Sequence, residues 1–190
     1  MANKVKYGLC NCYYAVLTET TSTATYGTPK ALPGAVNLSL DQEGETNKFR
    51  ADNIDYYTSI SNNGYSGDLE LALIPDSFMK DVMGETVNTS TGLQYEDANA
   101  KPLPFALLFQ FEGDANATRH VMYYCKATRP SVASQTTDTT IEPVTETISI
   151  TATARKITVG TSEVSIVKAK CDETASTAYN AFFTTVQIPT

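Results

Sequence analysis

The feature that most constrains this chain is an alternation of apolar and polar residues that recurs along most of its length. Leu69, Leu71 and Leu73 alternate with acidic and small residues. Because successive side chains of a strand point to opposite faces, this period of two predicts a strand with one buried face. Comparable segments, each predicted as a strand, are residues 8–18, 36–40, 54–61, 118–128 and 145–153. Threonine is the commonest residue, and β-branched side chains suit a pleated surface.

Further segments complete the predicted elements. Residues 103–112 form a nearly continuous apolar run, which predicts a strand covered on both faces. Asp76 suits the start of a helix that Gly84 ends, because glycine adopts the left-handed conformation found there. Asp172 is positioned to cap a second helix, and a hairpin is expected around Gly160.

The order of these elements indicates the fold class. Strands do not alternate with helices, so a parallel sheet is not expected. The prediction is a mainly β fold in which two antiparallel sheets pack face to face as a β-sandwich or split barrel, with one or two short flanking α-helices. A length of 190 residues suits a single domain spanning residues 1–190.

Charge and hydropathy exclude several classes of protein. A net charge of −7 argues against a high-affinity nucleic-acid binder, whose affinity comes largely from lysine and arginine on phosphates. No segment approaches the roughly 20 consecutive apolar residues of a membrane-spanning helix. The N-terminal sequence MANKVKYGLCNCYY has no apolar core followed by a small-residue cleavage site. We therefore expect a soluble protein made in the cytosol, with no signal peptide and no membrane segment.

The sequence has no recognisable catalytic motif. His120 is the only histidine, so a Ser-His-Asp or Cys-His site would depend on it. It lies inside a predicted strand between Arg119 and Val121, with no nucleophile motif nearby. The glycine-rich stretch GYSGD at residues 64–68 lacks the lysine of a phosphate-binding loop. We expect a structural role for His120, no catalytic residue and no cofactor, so the chain is not expected to be an enzyme.

Cysteine spacing gives one hint of a metal site. Cys10 and Cys12 could point the same way from one strand. Structural zinc sites need four ligands, usually supplied as two separated pairs. Cys125 and Cys171 each stand alone, so no second pair is available. We therefore expect buried free thiols and no metal site.

Five segments of the chain indicate a family. They are Ala31–Glu45 (ALPGAVNLSLDQEGE), Ala51–Tyr57 (ADNIDYY), Asn62–Glu85 (NNGYSGDLELALIPDSFMKDVMGE), Asn99–Asp114 (NAKPLPFALLFQFEGD) and Arg119–Val132 (RHVMYYCKATRPSV). In this order they resemble the major tail protein family of long-tailed, non-contractile (siphovirus-type) bacteriophages, which forms the tail tube. The resemblance covers residues 1–155, whereas residues 156–190 match the family much less.

The resemblance implies a structural virion protein with no catalytic residue. Members of the family are expected to form hexameric rings that stack into a hollow tube, through which genomic DNA is ejected into the host. The implied partners are further copies of the chain and the tail tape measure, tail terminator and distal tail proteins. DNA passes through the lumen without specific binding. The implied location is the virion tail, after synthesis and assembly in the bacterial host cytoplasm.

A hairpin over residues 36–61 is the candidate for the lumen wall and for the contact between rings. The residues expected to face the core are Val36, Leu38, Leu40, Ile54, Tyr56 and Ile60. The alternate residues, expected to face the lumen, are Asn37, Ser39, Asp41, Asp55, Tyr57 and Ser59. A polar tip at residues 42–53 is expected to order when rings stack, through Glu43, Glu45, Lys48, Arg50 and Asp52. The alternative is an ordinary surface hairpin.

A second function class stays open on the sequence alone. A virion-associated β-sandwich can instead bind a receptor or a carbohydrate. Such a module needs exposed aromatic residues at its loop tips, and the loop candidates are Tyr26 and Tyr95. The absence of tryptophan weakens a carbohydrate platform, because sugars stack on aromatic faces.

Overall fold

The computed structural model describes residues 5–20, 24–136 and 143–189. Within those ranges the protein is mainly β with two short helices, which confirms the predicted fold class. The strands are β1 (Leu9–Glu19), β2 (Ala24–Tyr26), β3 (Lys30–Ala31), β4 (Ala35–Glu43), β5 (Thr46–Ala51), β6 (Ile54–Ile60), β7 (Gly64–Leu71), β8 (Thr86–Val87), β9 (Gln94–Tyr95), β10 (Phe105–Phe111), β11 (Arg119–Ala127), β12 (Glu146–Ala152), β13 (Arg155–Val159), β14 (Ser162–Ile166) and β15 (Lys168–Cys171). The helical segments are α1 (Asp76–Phe78), the π-helical turn Met79–Met83 that continues it, and α2 (Ser176–Ala181).

Nine strands of the described chain form one antiparallel sheet that folds into two layers. Its hydrogen-bonded order is β2-β1-β10-β11-β12-β7-β4, with β3 beside β1 and β15 beside β11. Strand β11 belongs to both layers, because residues 119–122 pair with β15 and residues 125–127 pair with β12. The sheet therefore divides at β11. Strands β12, β7 and β4 form one layer, β1 and β10 form the other, and β11 joins the two.

The space between the layers is filled by the larger apolar core. Strand β7 contributes Leu69 and Leu71, β12 contributes Ile148, and the opposite layer contributes Tyr14 and Leu107, all of them at most 1% exposed. These inward residues alternate with more exposed ones along β7 and β12. The alternation in the sequence therefore identified β7 and β12 correctly, although β7 ends at Leu71 and Leu73 is 67% exposed.

Strand β10 is buried on both faces, as its continuous apolar run predicts. Phe105 and Leu107 lie in the larger core, whereas Leu108 lies in a second core on the outer side of the same layer. The second core is covered by the C-terminal segment, in which Phe182 and Val186 are buried. The segment after β15 is thus packed against the sheet.

Arg119 attaches α2 to β11. Its guanidinium donates a hydrogen bond to the carbonyl oxygen of Tyr179 and lies 3.7 Å from the centroid of that ring and 4.7 Å from the Phe183 ring. Asp172, predicted to cap this helix, lies before it in a turn where its carboxylate accepts the N–H of Thr174 at 3.0 Å. The predicted helix exists, but its first residue has no side-chain cap.

The helix predicted from Asp76 begins as α1 and continues as a π-helical turn. Gly84, with a φ of 81°, follows its last residue as expected. Phe78 and Val82 face the larger core, which explains the apolar side of this short segment. No helix within the described ranges is long and apolar enough to cross a membrane.

The hairpin predicted for residues 36–61 is longer in the structure and is paired differently. Strand β4 pairs with β7 and β5 pairs with β6, so residues 35–71 form one antiparallel ribbon. The ribbon turns at Asp52 and Asn53, which have φ values of 52° and 62°, as in the type I′ turns of tight hairpins. Residues 42–53, predicted as a polar tip, include the end of β4 and all of β5, so the turn itself is limited to Asp52 and Asn53.

Gly44 lets the two strand pairs join without a gap. A Cβ atom at this position would lie 2.2 Å from the carbonyl oxygen of Ser61, so only glycine fits the close approach. The Ser61 N–H donates to the Glu45 carbonyl at 2.9 Å, and the Asn63 N–H donates to the Glu43 carbonyl at 2.8 Å. The ribbon is therefore held by backbone hydrogen bonds across the junction.

Candidate functional site

Strands β4, β7 and β12 have an outer face of carboxylates, hydroxyls and one amide. The residues of this face, called the acidic face below, are Asn37, Ser39, Asp41 and Glu43 on β4, Ser66, Asp68 and Glu70 on β7, and Thr147, Ser149 and Thr151 on β12. The residues between them, such as Leu69 and Ile148, point into the core. The alternation therefore places four carboxylates on one surface.

The inward side of β4 matches the sequence prediction at two positions of three. Leu38 and Leu40 are half-buried and pack against the larger core, as predicted. Val36 is 51% exposed, against the prediction that it faces the core. A register shift between Ala35 and Asn37 interrupts the strand pairing at this residue. The core-facing pattern therefore begins at Leu38.

The strand registers align the acidic face in rows. In the central row, Asp68 lies between Ser39 and Ser149, and the Ser149 hydroxyl donates a 2.7 Å hydrogen bond to the Asp68 carboxylate. In the next row, the Glu70 carboxylate accepts a hydrogen bond from the Thr145 hydroxyl. These hydroxyls fix the orientation of the carboxylates and leave their charge in place.

The ten residues of the acidic face include no lysine or arginine, and the exposed Lys126 of β11 pairs with Thr151 at its edge. The ion pairs formed within the described residues all lie elsewhere. Four carboxylates against one lysine at the edge generate a negative potential over the surface. The face can therefore repel a polyanion such as DNA, with Lys126 as the cation at its β11 edge.

The predicted lumen-facing residues divide into two groups in the structure. Three of them lie together on the acidic face: Asn37, Ser39 and Asp41. The other three lie on β6, away from this face: Asp55, Tyr57 and Ser59. Sequence reasoning missed Asp68 and Glu70, which lie beside the first group. Their alternation with Leu69 and Leu71 is the pattern that identifies them.

Residues 46–60, called the arm below, comprise β5, β6 and their turn. The exposed fractions of its large apolar residues are Phe49 62%, Ile54 61%, Tyr56 69%, Tyr57 63% and Ile60 74%. The prediction that Ile54, Tyr56 and Ile60 face the core is therefore wrong. In the described chain, β5 and β6 pair only with each other, so no second layer lies behind the arm.

A register shift in the arm separates side chains that were predicted to share a face. Tyr57 pairs with Phe49, whereas Asp55 pairs with Arg50, the next residue of β5. Since neighbouring residues of a strand point to opposite faces, Asp55 lies on the face opposite Tyr57. Asp55 forms ion pairs there with Lys48 at 2.8 Å and with Arg50 at 3.3 Å. The prediction that Asp55 and Tyr57 face the same way is therefore wrong.

The residues predicted for contact between rings are distributed along the ribbon. They are Glu43 on the acidic face, Glu45 between β4 and β5, Lys48 and Arg50 on β5, and Asp52 in the turn. Within the described residues, Glu45 and Asp52 form no ion pair. The arm therefore has an acidic turn at its end and exposed aromatic and aliphatic residues along its length.

The exposure of the arm indicates a protein contact. A two-stranded ribbon that packs against nothing is only marginally stable in water. A group of large apolar side chains on a surface marks an interaction site or an aggregation hazard. The arm fits the first description, because its strands are paired from Thr46 to Ile60, apart from one register shift, and the Asp55 ion pairs hold the two strands together.

The environments of His120 and of the cysteines disfavour nucleophilic chemistry. The His120 ring stacks on Phe109 at 5.2 Å between centroids, and its Nε2 is buried without a hydrogen-bond partner among the described residues. Burial, followed by the charges of Lys6 and Lys170, lowers the pKa of His120. Burial raises the pKa of the Cys12 thiol to about 12, which keeps it from forming the reactive thiolate.

The described cysteines are all free thiols. The alternation that would point Cys10 and Cys12 the same way is interrupted, because Asn11 has a φ of 50° and the register of β1 shifts beside it. The Cys10 thiol donates a weak hydrogen bond to the Gln110 carbonyl at 3.5 Å. Within the described chain no group of three or more metal-ligating side chains occurs.

Comparison of the chain with models of known protein families and with curated proteins finds no match. The function is therefore argued below from the geometry of the acidic face and the arm, together with the sequence resemblance.

Proposed function

We propose that this chain is a structural virion protein that forms hexameric rings, which stack into a hollow phage tail tube through which genomic DNA is ejected. The observation that supports this most is the acidic face, whose ten residues include four carboxylates and no lysine or arginine, with Lys126 of β11 at its edge. Such a surface suits a lumen wall, because carboxylates repel DNA phosphates and lysine and arginine would hold them. DNA then moves past without specific binding.

The sheet edge at β4 supports the closure of a ring. Strand β4 is the end strand of the sheet and pairs only with β7 in the described chain. Its 9 residues leave an unpaired row of backbone donors and acceptors, which is a template for another strand. A neighbouring copy paired at this edge extends the acidic face into the next subunit. A head-to-tail contact that repeats around an axis closes a ring.

The arm supports the stacking of one ring on the next. It is exposed on both faces, and it extends from the same strands that form the acidic face. Four residues predicted for ring contact lie on it or at its base: Glu45, Lys48, Arg50 and Asp52. We assign the acidic face to the lumen and the arm to the contact between rings.

This function implies defined partners and no catalysis. The partners are further copies of the chain and the tail tape measure, tail terminator and distal tail proteins. The protein is made and assembled in the bacterial host cytoplasm and resides in the virion. We assign it no catalytic residue, cofactor or metal, and the half-buried, stacked His120 acts as a packing residue.

The alternative of a receptor- or carbohydrate-binding module has less support. Of its two candidate aromatic residues, Tyr26 is half-buried in β2 and donates its hydroxyl to the Tyr123 carbonyl at 2.9 Å. Tyr95 is 52% exposed, and the neighbouring Leu93 is 66% exposed. One tyrosine at one loop is a small platform for a sugar ring, whereas the acidic face and the arm are extended surfaces suited to assembly.

Electron microscopy of the purified protein tests this function. Concentrated wild-type protein should form hollow rings and tubes in negative stain. A variant in which residues 46–60 are replaced by a two-residue Asn-Gly turn should form rings but no tubes, because it keeps the β4 edge and lacks the arm. Wild-type protein that stays monomeric at every concentration would overturn the proposal.

A further inference from the structure

An opening between the two layers exposes part of the larger core to solvent. This opening, called the socket below, has a volume of about 280 Å³. Its apolar lining comes from both layers and includes Leu38, Leu40, Tyr65, Phe109, Phe111 and Met122. Leu38 and Leu40 belong to β4, so the socket adjoins the strand that continues into the arm. It is an apolar recess beside the base of the ribbon.

The rim of the socket is basic, although the chain has a net charge of −7. The Lys168 ammonium lies 4.5 Å from the centroid of the Tyr65 ring, and the Lys6 ammonium lies 5.7 Å from that of Phe111. Lys170 is two residues from Lys168 on β15 and pairs with His120 across the strands. Within the described residues none of these three lysines forms an ion pair.

The socket therefore suits a group that combines an apolar side chain with a nearby carboxylate. Such a group lies at the end of the arm. Asp52 is in the turn without an ion pair in the described chain, and Ile54, two residues further on, is 61% exposed. The apolar lining suits the Ile54 side chain, and the positive charges of the lysine rim are opposite in sign to the Asp52 carboxylate.

The geometry of the ribbon keeps the arm away from the socket of its own chain. The socket is built partly from β4 and β7, the strands that extend into the arm. Strand β5 has 6 residues, which places the turn roughly 20 Å beyond its base. Both strands are hydrogen-bonded along this length, so the ribbon does not fold back on its own origin.

We propose that the socket receives the end of the arm from a second copy of this chain, with Ile54 in the apolar recess and Asp52 on the rim formed by Lys6, Lys168 and Lys170. This inference rests on the proposed function and specifies its ring-to-ring contact. The contact joins two different surfaces, so it leaves a free socket at one end and a free arm at the other. Contacts of this kind extend an assembly along one direction.

Photocrosslinking locates the end of the arm in assembled protein. Benzoylphenylalanine in place of Ile54 should give adducts between chains at Met122, Leu40 or another socket residue when assembled tubes are irradiated. The same group in place of Val164, which is 43% exposed on β14, is the control and should give no socket adducts. Adducts of position 54 that map outside the socket would overturn the docking and leave the tube function standing.

A charge exchange tests the rim. Lys168→Glu and Asp52→Lys should each raise the concentration needed for tube formation at least about tenfold, and the double variant should recover most of the loss. Lys101→Glu, at an exposed position away from the socket, is the matched control and should assemble like wild type. A cooperative thermal transition in every variant shows that the subunit folds.

The outcomes separate the two proposals. Single variants that assemble like wild type, or a double variant no better than either single one, would overturn the docking alone. Wild-type protein that never assembles would overturn both the docking and the tube function.

Discussion

The attachment of the C-terminal helix by Arg119 leads to a quantitative prediction about stability. The guanidinium lies over two rings, 3.7 Å from the centroid of Tyr179 and 4.7 Å from that of Phe183, and it donates a hydrogen bond to the Tyr179 carbonyl. Arg119→Ala removes all three contacts together. The same change removes Nε, which is buried without a hydrogen-bond partner among the described residues.

These effects have opposite signs, and their sizes determine the outcome. Two partly desolvated cation–π contacts contribute about 1 kcal/mol each. The charge-assisted hydrogen bond adds about 2 kcal/mol, and the unpaired Nε costs about 1–2 kcal/mol. Arg119→Ala should therefore lower the free energy of unfolding by about 2–3 kcal/mol. For a chain of this length, that loss lowers Tm by roughly 4–12 °C.

Urea unfolding followed by circular dichroism measures the loss, and hydrogen exchange locates it. Residues 172–189 should exchange faster in Arg119→Ala, while β12 keeps its protection. Arg119→Lys is the matched control, because it keeps a cation over the rings and loses the planar hydrogen-bonding group. Arg119→Lys should lower the free energy of unfolding by about 1 kcal/mol. A loss below about 0.5 kcal/mol in Arg119→Ala, or unchanged exchange of residues 172–189, would refute the attachment of the C-terminal helix by Arg119.

Three further predictions concern the lumen, the pH response and the core. Asp41→Lys with Asp68→Lys should slow DNA ejection from assembled particles, because the new cations bind phosphates; ejection at the wild-type rate would contradict the lumen assignment. Burial depresses the pKa of His120, so the unfolded state binds the proton first and stability falls as pH drops below about 6.5. His120→Asn should reduce that loss of stability between pH 7 and 5.5, measured by urea titrations. An unchanged pH dependence of the free energy of unfolding would contradict the role given to His120. Leu107→Ala should lower the free energy of unfolding, measured in urea, by about 2–5 kcal/mol. Leu73→Ala, at a residue 67% exposed, should change it by no more than about 0.5 kcal/mol. Similar losses in the two variants would contradict the difference in burial between Leu107 and Leu73.

The sequence correctly predicted those elements in which the pattern of apolar and polar residues follows directly from contact with a core. Leu69 and Ile148 alternate with polar residues because one face of β7 and of β12 is buried. The run from Phe105 to Gln110 is buried throughout because β10 lies between two cores. Gly84 ends its helix because its positive φ suits glycine. Local patterns of this kind need no knowledge of strand pairing.

The arm could not be predicted in the same way. Its residues alternate in part, yet Ile54 and Ile60 are exposed, because β5 and β6 pair only with each other in the described chain. Strand β5 is polar, and its turn is Asp52-Asn53 in place of the more usual Asn-Gly, so neither pattern marked a tight hairpin. The register shift that turns Asp55 away from Tyr57 is a property of the pairing and leaves no mark in the sequence.

Only part of the candidate site was predictable, because a local pattern shows which residues of one strand share a face and does not show which strands pair. Asn37, Ser39 and Asp41 alternate with half-buried leucines, and this local pattern indicated their common face. Their neighbours Asp68 and Glu70 belong to another strand, and only the β4–β7 register brings the two sets together. The socket combines side chains from distant segments, such as Leu40 and Met122, so no local pattern could identify it.

A cryo-electron microscopy map of assembled protein, at a resolution that traces strands, tests the central claim most directly. The account predicts six-fold rings in which β4 of one copy pairs with a strand of its neighbour and the acidic face lines the channel. Rings in which Asp41, Asp68 and Glu70 face outward, or in which β4 has no neighbouring strand, would contradict it.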